Sequence, residues 1–206
     1  MRIPNLPNTL TLVRIFLVPL LVVVLLTKFE GHLILGVRKE LVGAAIFALA
    51  SLTDWADGYV ARRRQQITTL GQMIDPIADK LLTSAAFISL VQMELAPAWI
   101  VAVIIGRELA ITGLRSVAFA RGVAIPASRL GKLKMIAEVV AILALILGRD
   151  HLQQESAREF YVLGQAALWV VLAIAVVSAV DYYRRFNRLI LKAVAVGGEP
   201  SSPSAP

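Results

Sequence analysis

Cysteine is absent from the 206 residues and histidine occurs only twice. Disulfides, zinc thiolate centres, iron–sulfur clusters and thiol nucleophiles are therefore excluded, and any chemistry must rest on oxygen and nitrogen groups. Charge is scarce as well: 17 % of residues are charged and 58 % hydrophobic, with a mean hydropathy of +0.74. A soluble domain carries about 25 % charge and roughly 45–50 % apolar residues, so this chain cannot hide its apolar surface in one water-facing core. Alternating ten-residue strand patterns are missing too, which argues against a transmembrane barrel. What remains is an all-α integral membrane protein.

Six apolar stretches, at 10–26, 41–60, 74–91, 97–114, 133–147 and 161–180, stand out. A spanning helix needs about 20 residues, so the reading is a six-transmembrane-helix bundle with a cytoplasmic-facing active-site cavity. It forms one membrane domain over 1–192, and a disordered tail over 193–206 ends in GGEPSSPSAP. After the first stretch, Thr27, Lys28, Phe29 and Glu30 offer no small-x-small cleavage site, so it is read as a retained helix.

If the N-terminus is cytoplasmic, thirteen Lys and Arg fall in inner connections and five in outer ones, which predicts both termini inside. Net charge +7 and a pI near 10.1 then point to anionic lipid headgroups rather than nucleic acid as the partner. A bacterial inner membrane is the expected location. His32 and His151 fall in outer connections and carry no site.

The spans are interrupted by ionisable residues, each costing about 2.5–3.5 kcal/mol at mid-bilayer unless paired. In an up-and-down bundle Arg14, Asp79 and Glu138 sit near the starts of helices one, three and five, and Asp57, Arg107 and Asp181 near the ends of two, four and six. All of them converge on the cytoplasmic side. Long basic side chains could reach the interface singly, but short aspartates could not.

From Ser51 to Lys80 the chain reads SLTDWADGYVARRRQQITTLGQMIDPIADK. Asp54 and Asp57 are spaced i, i+3 and Asp75 and Asp79 i, i+4, so each pair occupies one helix face. The pairs lie on consecutive antiparallel helices, and four carboxylates brought together repel unless cations sit among them. Hard oxygen ligands without His or Cys suit Mg2+ or Mn2+, and a two-metal site acting on phosphate is the natural chemistry. Gly58 and Ala61 continue the first pair's face, Gly71 precedes Asp75 by one turn, and Arg62 offers a forked donor for phosphate oxygens. Pro76 disfavours helical geometry at Asp75, so the third helix is expected to start near there.

Asp54, Asp57, Gly58, Ala61, Arg62, Gly71, Asp75 and Asp79, at this fixed spacing, resemble the complete signature of the CDP-alcohol phosphatidyltransferases. The resemblance implies a six-helix, homodimeric membrane enzyme that transfers a phosphatidyl group from a CDP-linked lipid to an alcohol and releases CMP. It further implies that the four aspartates hold two divalent ions, that Asp79 also acts as the base, and that Gly58, Ala61, Arg62 and Gly71 line the nucleotide and diphosphate site.

Over most of 1–190 the chain is similar to the branch of that family whose donor is CDP-diacylglycerol and whose acceptor is glycerol 3-phosphate. The likeness lies in IPNLPNTLTLVRIFLVP, IIGRELAITGLRS and LGKLKM. Arg107, Arg115, Lys132 and Lys134 form a basic rim suited to an acceptor's own phosphate. Asn8, Thr11 and Arg14 recur every three residues as a polar stripe, read equally well as capping and anchoring or as a substrate contact. Met135 stands where the branch commonly has Thr, which leaves inositol phosphate or serine as alternative acceptors. Intramembrane prenyltransferases and ion or proton transporters also bury carboxylates; the first would need a second aspartate cluster, the second charges spread through the membrane. Gly36, Gly43 and Gly113 are expected packing points between helices, and Trp99 an interfacial anchor.

Overall fold

Among the described residues of the computed structural model there are six helices: α1 (Leu6–Leu26), α2 (Lys39–Arg64), α3 (Thr69–Gln92), α4 (Ala98–Ala120), α5 (Arg129–Leu147) and α6 (Glu155–Val196). The structure describes the backbone of 6–27, 33–34, 36–64, 69–120, 129–150 and 152–196, and side chains within 13–27, 36–53, 80–114, 116, 133–150 and 152–184. His32 and His151 lie outside the described residues.

Each expected stretch corresponds to one helix, and the helices run further than the apolar runs. α1 begins at Leu6, with Pro7 in its first turn, where a missing N–H costs no intrahelical bond. α3 begins at Thr69, not near Asp75, and so carries Pro76 in its interior. The sequence-based start is corrected here: proline removes one backbone bond, at about 3 kcal/mol, and a 24-residue helix packed on α1 offsets it. The helix α6 is 42 residues, so the expected tail boundary at 192 falls inside it.

Between α1 and α2 a short hairpin, β1 (Leu33–Ile34) and β2 (Val37–Arg38), pairs Leu33 with Arg38 and Ile34 with Val37. Gly36 sits in its turn at φ 80° with no neighbour for a Cβ within 4 Å. It is therefore a turn residue and not a helix packing point. Gly113 also has open space around it, whereas a Cβ on Gly43 would come 2.5 Å from Leu25 Cδ2, so of the three expected packing glycines Gly43 alone is one.

Gly148, directly after α5, and Gly164 of α6 do the packing that the sequence reading missed. A Cβ on Gly148 would lie 2.5 Å from the Tyr161 backbone nitrogen, and one on Gly164 2.9 Å from that of Leu145. Without side chains there the two helices approach closely.

The α3 to α4 turn closes without glycine. Glu94 adopts φ 60°, its N–H bonds to Val91 O at 3.0 Å, and Leu95 N–H bonds to Leu90 O at 2.9 Å. This pattern is the Schellman cap, in which a left-handed residue lets the last carbonyls find donors. Leu90 and Leu95 are both buried in the core, supplying the hydrophobic contact that accompanies such a cap. From α6, Gln165 Nε2 donates to Leu95 O at 2.7 Å and fixes the turn from outside.

Phe47, Phe87, Ile104, Ile142 and Leu168, from α2 to α6, meet in one apolar core with Leu21 of α1. The outside is apolar too: Phe16, Leu49, Ile88, Trp99, Ile136 and Val177 are all exposed, one from each helix. Such an exterior suits hydrocarbon better than water. Trp99 meets Trp169 edge to face at 5.8 Å on that surface. By length and composition one helix among the described residues, at Glu155–Arg184, is long and apolar enough to cross a membrane; Val13–Leu26 and Lys80–Gln92 are shorter apolar segments.

Candidate active site

The aspartate pairs fall where two consecutive helices end and begin. Asp54 and Asp57 lie in the last three turns of α2, which ends at Arg64, and Asp75 and Asp79 in the first three turns of α3, which starts at Thr69. Both pairs are therefore on helical backbone, as the spacing argument requires. Gly58, Ala61 and Arg62 follow on α2 and Gly71 precedes on α3. The side chains of these eight positions lie outside the described residues, as do those of Asn8, Thr11, Arg115 and Lys132. Among the described residues no group of three or more His, Cys, Asp or Glu could hold a metal. The donor set at the four aspartates remains all carboxylate, on a chain with no thiol, which fits Mg2+ or Mn2+ chemistry.

Beginning with Lys80, the residue after Asp79, charged side chains form a cluster across three helices. Lys80 Nζ of α3 lies 2.6 Å from Glu108 Oε2 of α4. The other oxygen of Glu108 accepts from Lys134 Nζ of α5 and pairs with Arg107 Nη1 of its own helix. Lys134 also meets Glu138 Oε1 at 2.6 Å one turn along α5. Arg107 Nη2 donates to Ser178 Oγ of α6 at 2.7 Å, and Ser178 in turn donates to Ile174 O.

Three cations and two carboxylates thus tie α3, α4, α5 and α6 together beside Asp79. The Lys134 side chain is 3 % exposed and that of Glu138 7 %. Charges so enclosed are tolerable only as a paired set, because removing one partner strands the other at about 3–5 kcal/mol. Of the basic rim expected from the sequence, Arg107 and Lys134 are brought together, and both rest on Glu108. Arg14 is buried in the helix that packs on α2 and α3.

Four residues of this arrangement, Lys80, Glu108, Glu138 and Ser178, are not among the site residues expected from the sequence. Glu108 and Glu138 were visible as interruptions of apolar runs, and the i, i+4 spacing of Lys134 and Glu138 signals their pairing. Lys80 follows Asp79 directly, but its contact with Glu108 depends on how α3 and α4 cross. Ser178 carries no sequence signal at all.

The opposite end of the bundle has its own charged set. Arg38 Nη2 reaches Asp150 Oδ2 at 2.6 Å and Nη1 reaches Gln154 Oε1 at 2.8 Å. Arg149 Nη1 donates to the buried Glu40 at 2.8 Å. These pairs fasten β2 and the start of α2 to the α5 to α6 turn, away from the aspartates.

The family profile of the CDP-alcohol phosphatidyltransferases matches residues 4–180. The chain is 44 % identical over 186 residues to a CDP-diacylglycerol–glycerol-3-phosphate 3-phosphatidyltransferase of Bacillus subtilis, covering 88 % of this chain and 94 % of the relative. The protein of the same name from Rickettsia typhi is 36 % identical over 182 residues, covering 87 % and 96 %. A probable phosphatidylglycerophosphate synthase of Mycobacterium tuberculosis is 37 % identical over 187 residues, covering 91 % and 84 %. A helical bundle carrying the paired aspartates at the junction of α2 and α3, matched over this length, belongs to the CDP-alcohol phosphatidyltransferase family.

Proposed function

We propose that this chain is a multi-pass membrane enzyme that transfers a phosphatidyl group from CDP-diacylglycerol to sn-glycerol 3-phosphate, giving phosphatidylglycerophosphate and CMP. The observation that carries the reading is the eight-position motif distributed over the facing ends of α2 and α3, inside a family match of 177 residues spanning 4–180. Relatives that match over most of both chains bear the name of that reaction.

Asp54, Asp57, Asp75 and Asp79 are the residues that would hold two Mg2+ or Mn2+ ions, which supply charge neutralisation of the diphosphate and of the leaving CMP. Gly58, Ala61 and Gly71 keep the helix surface low enough for a nucleotide to approach the backbone, and Arg62 offers paired N–H donors to phosphate oxygens. Asp79 takes the proton of the incoming hydroxyl. An ordinary aspartate, with a pKa near 3.9, is a weak base, so holding the hydroxyl in attacking geometry must supply much of the rate. Arg107, Arg115, Lys132 and Lys134 bind the acceptor's phosphate, and Asn8, Thr11 and Arg14 line the substrate side of α1.

The apolar exterior of all six helices supports several membrane crossings, with charged residues of α2, α3, α4 and α5 held in ion pairs among the described residues. The lysine and arginine count supports a cytoplasmic side for both termini and the aspartates, in a bacterial inner membrane with anionic headgroups around it, and the active form is a homodimer. The test is CMP release by the purified protein from CDP-diacylglycerol with Mg2+, comparing glycerol 3-phosphate with inositol phosphate, serine and inositol. Release with glycerol 3-phosphate is expected. Turnover only with another alcohol would keep the family and overturn the acceptor.

A further inference from the structure

Glu108 is shared by three cations, and the sharing is uneven. Its Oε2 is committed to Lys80, while its Oε1 serves both Lys134 and Arg107. Glu138, by contrast, has Lys134 as its one ion-pair partner among the described residues. A dianionic phosphate arriving at Lys134 must compete with the carboxylates already there, because an ammonium has three donors and little of this one is exposed. Displacing Glu138 would strand a buried carboxylate. Displacing Glu108 would not, since Lys80 and Arg107 still hold it.

On the reading that the acceptor carries a phosphate bound by Lys134, we infer that Glu108 is a positioning residue that occupies Lys134 until that phosphate arrives and then yields it. The displaced carboxylate stays on Lys80 and Arg107. Because Lys80 is the residue after Asp79 on α3, the exchange transmits acceptor binding to the turn that bears the base. The occupied lysine also disfavours acceptors without phosphate, whose neutral hydroxyls cannot replace a carboxylate on an ammonium. Glu108 therefore contributes to acceptor selection without touching the reacting atoms.

The experiment is a double-mutant cycle of Glu108→Gln and Lys80→Met on the full chain in zwitterionic nanodiscs. Inorganic phosphate and glycerol 3-phosphate binding are read from calorimetry and from the ligand dependence of Tm. Removing a competing charge-assisted contact is expected to tighten phosphate binding about tenfold in Glu108→Gln. Lys80→Met is expected to weaken it in the parent, because Glu108 then holds Lys134 harder, and to have little effect in the Glu108→Gln background. Long-range charge alone would make the two effects additive, and additivity, or no tightening in Glu108→Gln, overturns the inference.

If Glu108→Gln does not fold, Glu108→Asp keeps the charge, shortens the reach, and must tighten phosphate in the same direction by less; no tightening there overturns it equally. In turnover, Glu108→Gln is expected to lower the acceptor KM together with kcat, whereas a merely structural loss would lower kcat alone. Failure of the parent protein to release CMP with glycerol 3-phosphate would strike the acceptor reading, while the inorganic phosphate cycle still decides the exchange at Lys134.

Discussion

Gly164 of α6 faces Leu145 of α5 so closely that a Cβ on the glycine would stand 2.9 Å from the leucine backbone nitrogen and 2.7 Å from its Cγ. The side-chain carbon could move, but the amide is fixed in a helix. In a lipid-facing bundle little hydrophobic force presses helices together, and close backbone approach supplies the contact instead. Gly164→Ala is expected to force α5 and α6 apart and to lower stability by about 1–3 kcal/mol, seen as a fall in Tm in detergent. Gly113→Ala on α4, with open space around it, serves as the comparison and is expected to raise Tm slightly through helix propensity. Equal behaviour of the two variants would show that the α5 to α6 approach is looser than described.

The turn between α3 and α4 holds a correctable strain. Glu94 occupies the left-handed position at φ 60°, where an L side chain costs roughly 1–2 kcal/mol and glycine costs almost nothing. The cap bonds of Glu94 and Leu95 to Val91 and Leu90 use backbone atoms alone, so substitution leaves them intact. Glu94→Gly is therefore expected to stabilise by about 1 kcal/mol, read as a rise in Tm with unchanged CMP release. A fall in Tm would mean that the carboxylate makes a compensating contact.

How far such features were legible in the sequence depended on how local their cause was. Six helices followed from apolar runs, and Asp54, Asp57, Asp75 and Asp79 from spacing along single helices. Helix ends were missed because capping and packing extend helices beyond their apolar segments, as α3 shows by running seven residues upstream of Pro76. Gly36 reads as a packing glycine in an apolar stretch, and only the Leu33 to Arg38 pairing reveals the turn that it serves. The Lys80 to Glu108 pair joins residues 28 apart in sequence; it was unreadable because it depends on which faces two helices present.

Charge pairing at the far end of the bundle can be tested without involving the site. The Glu40 side chain is 3 % exposed and receives Arg149 at 2.8 Å, with Arg38 Nε at 3.8 Å as a weaker neighbour. Arg149→Met should leave a buried carboxylate short of its main partner and destabilise by about 3 kcal/mol. Adding Glu40→Gln to that variant should restore part of the loss, because a neutral amide is cheaper to bury than a lone carboxylate. Thermal unfolding of the two single variants and the double variant measures this. A double variant as unstable as the sum of the singles would show that the pair does not interact energetically.

The metal expectation separates from the fold by chelation. With all donors at the four aspartates being carboxylate, EDTA is expected to abolish CMP release and either Mg2+ or Mn2+ to restore it, because hard oxygen sites accept both. On the proposed mechanism Asp79→Asn removes two contributions at once, a metal ligand and the base, and should lower kcat by about 1,000-fold or more. Its Tm without metal should lie at or above that of the parent, since four unneutralised carboxylates repel and losing one relieves that repulsion. Arg115→Ala and Lys132→Ala should act differently, raising the acceptor KM about tenfold while leaving the CDP-diacylglycerol KM nearly unchanged. If Asp79→Asn retained substantial turnover while Asp75→Asn lost it, the proton would have to leave by another group, and Asp79 would count as a ligand only.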